Sequence, residues 1–203
     1  MGKVLPFSPK PPAKFDFERV KKRKKDGPPP RDQLNLFSSG AQVLHLPSDI
    51  SPFEEALLLD ERGDSHTVDA YRRAIAEGDS LADAYCNLGI LESKAGRVAK
   101  AFDCFTKSLE HDPRHFESHY NLGNLYLEEE NVRLARMHYE LATEVEPGFP
   151  NLYFNLGLVH ALNNDYPAAL ATLSKYKELA PAEEGTKADE LLENLKRSVT
   201  ERS

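Results

Sequence analysis

The sequence predicts an all-α right-handed solenoid of helical hairpins, and three observations carry that expectation. Asn-Leu-Gly recurs at Asn87-Leu88-Gly89, Asn121-Leu122-Gly123 and Asn155-Leu156-Gly157, a spacing of 34 residues twice over. In the same register Ala101, Ala135 and Ala169 align, as do Phe105, Tyr139 and Leu173. Pro113, Pro147 and Pro181 close units that run 82–115, 116–149 and 150–183. Self-similarity at such a period marks a stacked array, in which each unit covers its apolar face only with its neighbours.

Each position in the unit has a physical reason. Gly89, Gly123 and Gly157 let the second helix of a hairpin approach the first, and the aligned alanines supply a matching small face. Phe105 and Tyr139 are expected to fill the space between neighbouring hairpins. The closing prolines lack an amide donor and stop the second helix. Gly96 and Asn164 fall at the inner turn, where a left-handed conformation is cheapest for those residues. Pro167 falls in the first turn of its helix, where proline is tolerated.

Residues 48–81 read as a degenerate first hairpin, with Gly63-Asp64 at its turn and Tyr71, Ala74 and Ile75 on its second helix. Asp79 stands there in place of the closing proline. Residues 184–203 read as a capping helix. Thr186 and Asp189 suit a capping box, and Ala188, Leu191, Leu192, Leu195 and Val199 form one apolar stripe.

The remaining residues, 1–47, form a basic, proline-rich and mostly disordered tail. Residues 1–31 hold ten of the 26 Lys and Arg but only three of the 33 Asp and Glu, a net +7 that leaves −14 on the rest. Few apolar groups in residues 1–32 offset the entropy of ordering. Residues 33–47 are richer in apolar side chains (Leu34, Leu36, Phe37, Val43, Leu44, Leu46) and suit either packing on the first helices or a short linear motif. The basic run Lys21, Lys22, Arg23, Lys24, Lys25 suits phosphate contacts, a nuclear import signal, a fold-back onto the acidic array that occupies its groove, or a solubilising tail.

Together these residues resemble the tetratricopeptide repeats, residue by residue over 82–183. The resemblance implies a concave surface lined by the first helix of each unit, with Asn87, Tyr120, Asn121, Asn124, Phe154, Asn155 and Leu158 facing it. An amide side chain donates and accepts at once, so the three signature asparagines can pair with an extended peptide backbone, with Tyr120, Phe154 and Leu158 as apolar pockets. The same asparagines also occur in repeats that bind nothing. A clamp for a C-terminal carboxylate, used by chaperone-binding relatives, needs cations in the groove. The matching positions here are Cys86, Ile90, Asn151 and Asn155, with only Asn121 in agreement.

Other chemistry finds little support. His111, His115 and His119 recur every four residues, but Pro113 interrupts their helix, so they are expected at the surface and repeat boundary, not around a metal. Cys86 and Cys104 lack an activating neighbour and read as packing. No phosphate-binding glycine loop, nucleophile elbow or metalloprotease helix occurs. The expectation is therefore a cytoplasmic, non-catalytic protein without cofactor, metal or membrane span, serving as an adaptor, scaffold or assembly factor for a protein partner. The competing expectation is a nucleic-acid-associated regulator whose tail contacts phosphates while the array recruits or oligomerises.

Overall fold

Helix starts and stops follow the repeat. In the computed structural model, residues 14–21, 50–189, 191–193 and 195 are described. The first hairpin pairs α1 (Pro52–Glu61) with α2 (Thr67–Ala76). Three more follow: α3 (Leu81–Lys94) with α4 (Val98–His111), α5 (Phe116–Glu128) with α6 (Val132–Val145), and α7 (Pro150–Leu162) with α8 (Tyr166–Leu179). Successive hairpins stack through α2 on α3, α4 on α5 and α6 on α7. A short α9 (Ala182–Gly185) and a 3-10 turn (Thr186–Ala188) come next.

Local chemistry sets these boundaries. Ser51, Asn131 and Asp165 accept from the amides of Glu54, Leu134 and Ala168, which satisfies donors the helices leave open. Asp79 acts at the start of α1, where its Oδ2 accepts from the Phe53 amide at 2.7 Å. The expected left-handed turns are present at Gly96 (φ +72°) and Asn164 (φ +59°), and Glu130 (φ +58°) occupies the middle position of the same 34-residue series. A residue with a Cβ loses about 1–2 kcal/mol there. Glu130→Gly should therefore raise stability by about 0.5–1 kcal/mol, after allowing for the freer unfolded chain. An unchanged or lower urea midpoint would contradict this.

Inside each hairpin, the glycine and the large residue meet. A Cβ built on Gly89 would lie 2.8 Å from the Phe105 ring, and one on Gly123 would lie 2.5 Å from the Tyr139 ring. Phe105 and Tyr139 thus pack within their own hairpin across its glycine, a contact not expected from the sequence, which placed them between hairpins. Ala101, Ala135 and Ala169 are fully buried beside them.

Within and between hairpins, polar ties supplement apolar packing. Ser118 Oγ donates to Ser108 Oγ at 2.6 Å, and Ser108 Oγ donates to the Ala82 carbonyl at 2.7 Å. The Glu92 carboxylate is buried against Arg97 and also faces Arg72 at 3.6 Å.

The C-terminal stripe covers the last hairpin, as its pattern implied. Ala188, Leu191, Leu192 and Leu195 are buried in one cluster with Leu173 and Tyr176. The capping box does not form. Helix α9 starts after Pro181, and Thr186 Oγ1 instead donates to the Glu183 carbonyl at 2.9 Å. Val199 lies outside the described residues.

Candidate functional site

The signature asparagines lie one above another on α3, α5 and α7, and each is almost wholly buried. Residues 14–21 of the same chain cover them. The Phe15 amide donates to Asn155 Oδ1 at 2.8 Å while Asn155 Nδ2 donates to the Phe15 carbonyl at 3.1 Å. Glu18 makes the same reciprocal pair with Asn121, at 2.8 and 2.8 Å. Val20 repeats it with Asn87, at 2.9 and 3.1 Å. Each asparagine thus holds both main-chain polar groups of one residue, as a neighbouring strand would.

The segment runs opposite to the order of the repeats, from the fourth hairpin to the second. Five residues cross two inter-repeat steps, which only a stretched chain at about 3.3 Å per residue can do. For residues 14–21 the expectation of a disordered tail is therefore corrected. The Asn ladder satisfies the backbone, and the groove receives apolar side chains, so ordering is offset. The notion that the basic run itself folds back also needs adjusting. The occupying residues lie mainly N-terminal to it, and Lys21 is exposed, 3.7 Å from Glu18. Lys22, Arg23, Lys24 and Lys25 lie outside the described residues, as do residues 1–13 and 22–49.

Side chains of the segment find specific neighbours. Phe15 meets Phe154 edge-on at 5.1 Å and tilts against Tyr176 at 6.0 Å. Phe17 stacks on Phe105 at 6.2 Å. Val20 is 1% exposed and belongs to the main core. Arg19 pairs with Asp60 at 2.6 Å, and Lys14 with Glu128 at 3.0 Å. Burial raises the Glu18 carboxyl above its ordinary range, against the lowering effect of Lys21.

Supporting hydrogen bonds fix the ladder from behind. Asn87 Nδ2 also donates to the Tyr71 hydroxyl at 3.1 Å, and that hydroxyl donates to Asp60 Oδ2 at 3.1 Å. Asn155 Nδ2 reaches the Tyr120 hydroxyl at 3.1 Å and Asn124 Oδ1 at 2.8 Å. Asn124 Oδ1 accepts in addition from Tyr139 at 2.6 Å. Asn124 is thus a buttress for Asn155. The Tyr120 ring packs with Phe116, Tyr139 and Phe149, so only its hydroxyl serves the groove. Phe154 and Leu158 lie in the cluster against which Phe15 packs. Sequence reasoning missed Tyr71, Asp60 and Tyr176. Tyr71 could have been found, because it stands 34 residues before Phe105.

The energetics of the segment are close to balance. Six amide pairings contribute about 1 kcal/mol each, and three apolar side chains roughly 2 kcal/mol each. Ordering eight residues costs about 1.5 kcal/mol per residue, which offsets the roughly 12 kcal/mol gained. The ion pair of Arg19 with Asp60 adds about 2 kcal/mol, so the seated segment is favoured by about that small margin.

The histidines and cysteines are placed apart from this ladder or beneath it. His115 is buried, not at the surface: its Nδ1 accepts from the Ser118 amide, so Nε2 donates to Asp83 at 2.9 Å. His119 is buried too, donating to the Pro113 carbonyl and facing His138 Nδ1 at 3.1 Å. Burial lowers both of that pair, His138 to about 4. His111 stacks on Tyr85 at 5.7 Å. Burial pushes the Cys86 thiol up to about 12 and Cys104 to about 11, so both resist ionisation.

Comparison with known proteins agrees with this architecture. A tetratricopeptide repeat profile matches residues 82–115, and a second matches 120–184. The chain is a tetratricopeptide repeat protein. Among solved structures of this repeat class, MamA from Desulfovibrio magneticus RS-1 is 17% identical at a TM-score of 0.58, covering 75% of this chain and 96% of that one. The first repeat domain of Spaghetti (RPAP3), bound to the HSP90 peptide SRMEEVD, is 20% identical at a TM-score of 0.56, covering 59% and 94%. At these identities the likeness is one of fold. Anaphase-promoting complex subunit 3 of Schizosaccharomyces pombe is 27% identical over 110 residues, 54% of this chain and 16% of that protein. The UDP-N-acetylglucosamine–peptide N-acetylglucosaminyltransferase of Giardia intestinalis is 30% identical over 94 residues, 46% of this chain and 6% of that protein. The chain therefore spans less than a fifth of either curated relative. Among the described residues, no helix of this tetratricopeptide repeat protein is long and apolar enough to cross a membrane.

Proposed function

We propose that the concave face binds an extended peptide of a partner protein, and that the chain serves as a non-catalytic adaptor, scaffold or assembly factor. One observation carries this reading: Asn87, Asn121 and Asn155 pair with main-chain atoms of an extended segment, chemistry any peptide can supply. A similar fold, that of RPAP3, holds an HSP90 peptide. The carboxylate-clamp variant of that mode has no cations here at Cys86, Ile90, Asn151 and Asn155, so an internal peptide stretch suits the groove better than an acidic terminus.

The test is capture of peptides from an immobilised peptide array by the full chain, beside an oligonucleotide control. Captured peptides should be lost when Asn121→Ala is added to a chain whose resident segment is already weakened by Phe15→Ala with Phe17→Ala, and binding should change little between low and physiological salt. Capture of the oligonucleotide alone, falling steeply with salt, would contradict the reading and favour phosphate contacts by the tail.

A further inference from the structure

Residues 14–21 display which side chains the groove can take. Phe15 lies against Phe154 and Tyr176, and Phe17 against Phe105. Arg19 meets Asp60, a carboxylate only 7% exposed, and Val20 is 1% exposed. Asp16 points outward at 73% exposure, so its position makes little demand on residue type. Direction is fixed as well, because the side chains fill these sites only when the chain runs from α7 toward α3.

Resting on the peptide-groove reading, we propose that the partner carries the pattern shown by this segment and must displace it to bind. The pattern is an aromatic residue, one free position, a second aromatic, one further position, a cation and an aliphatic residue. Three features support competition over permanent closure. The segment's favourable and unfavourable terms nearly cancel. Its polar anchors are backbone groups that an incoming peptide reproduces one for one. Twenty-eight residues separate Lys21 from Ile50, so no short connection holds the segment to α1.

The test uses a fluorescein-labelled peptide with the sequence of residues 12–23, a scrambled version of it, and three full chains. These are the wild type, Phe15→Ala with Val20→Asp, and Phe15→Ala with Phe17→Ala. Each variant weakens the resident segment at its own side chains and leaves every groove residue intact, so the second decides if the first fails to fold. Both folded variants should bind the labelled peptide at least tenfold more tightly than the wild type, and should bind the scrambled peptide far less. Equal affinity of wild type and variants would show that the segment does not guard the groove. Equal binding of both peptides would overturn the pattern while leaving the peptide groove standing. Binding of neither peptide by folded variants would overturn both readings. Dimers of the wild type that both variants abolish would assign the groove to the same segment of a second copy, which also overturns the proposal.

Discussion

Gly123→Val should lower stability by about 3 kcal/mol, the largest effect of any single change considered. An added Cβ would lie 2.5 Å from Tyr139 Cε1, closer than side chains pack. The ring has no room to retreat, since Tyr139 is fully buried and its hydroxyl is held by Asn124 at 2.6 Å. Overpacking of this kind costs roughly 1–3 kcal/mol for a single methyl group, and valine adds two more carbons. Gly123→Ala should lose less, because alanine recovers up to about 1 kcal/mol of helix propensity. A urea titration measures both. A Gly123→Val chain as stable as wild type would mean that α5 and α6 are not in the close contact described. The effect should also reach the groove, because displacing Tyr139 disturbs Asn124 and through it Asn155.

Asn155→Ala and Asn121→Ala should differ in kind. Asn155 is fully buried and joins the segment to Tyr120 and Asn124, so its loss strips the bond from the Phe15 amide and the two Nδ2 donations shared among the Phe15 carbonyl, Tyr120 and Asn124, and leaves buried polar groups unmatched. The array itself should then lose about 2–3 kcal/mol. Asn121 makes two strong pairings, both to Glu18, and one long contact at 3.4 Å to Cys86 Sγ. Its removal should leave the melting of the array almost unchanged while the segment opens about 30-fold more often, the equivalent of two hydrogen bonds near 1 kcal/mol each. Thermal unfolding and limited proteolysis of residues 14–21 separate the two. If Asn121→Ala destabilises the array as much as Asn155→Ala, the division between groove contact and buttress is wrong.

Much of the fold could be read from the 34-residue register, because repeat contacts are local and recur. Glu130 escaped notice because the left-handed position it fills is marked by Gly96 in one neighbour and Asn164 in the other, while glutamate signals nothing there. The repeat register aligns Asn124 with Ile90 and Leu158 and so predicts a groove residue. Its role as a buttress depends on the Tyr139 hydroxyl, which Phe105 and Leu173 lack at the equivalent sites.

The asparagine ladder was visible, but its occupant was not. Contacts between residues 140 and 67 apart in sequence leave no local pattern, and the prolines and lysines around residues 14–21 dominate the composition. What signal existed lies in Phe15, Phe17 and Val20, three apolar side chains within an otherwise polar stretch.

Amide hydrogen exchange of the full chain, followed by NMR, tests most directly whether the asparagines hold this segment by its backbone. The amides of Phe15, Glu18 and Val20 should be protected in the wild type and should lose protection together in Asn121→Ala, with the helices of the array unaffected. Rapid exchange at all three positions in the wild type would contradict the occupied groove.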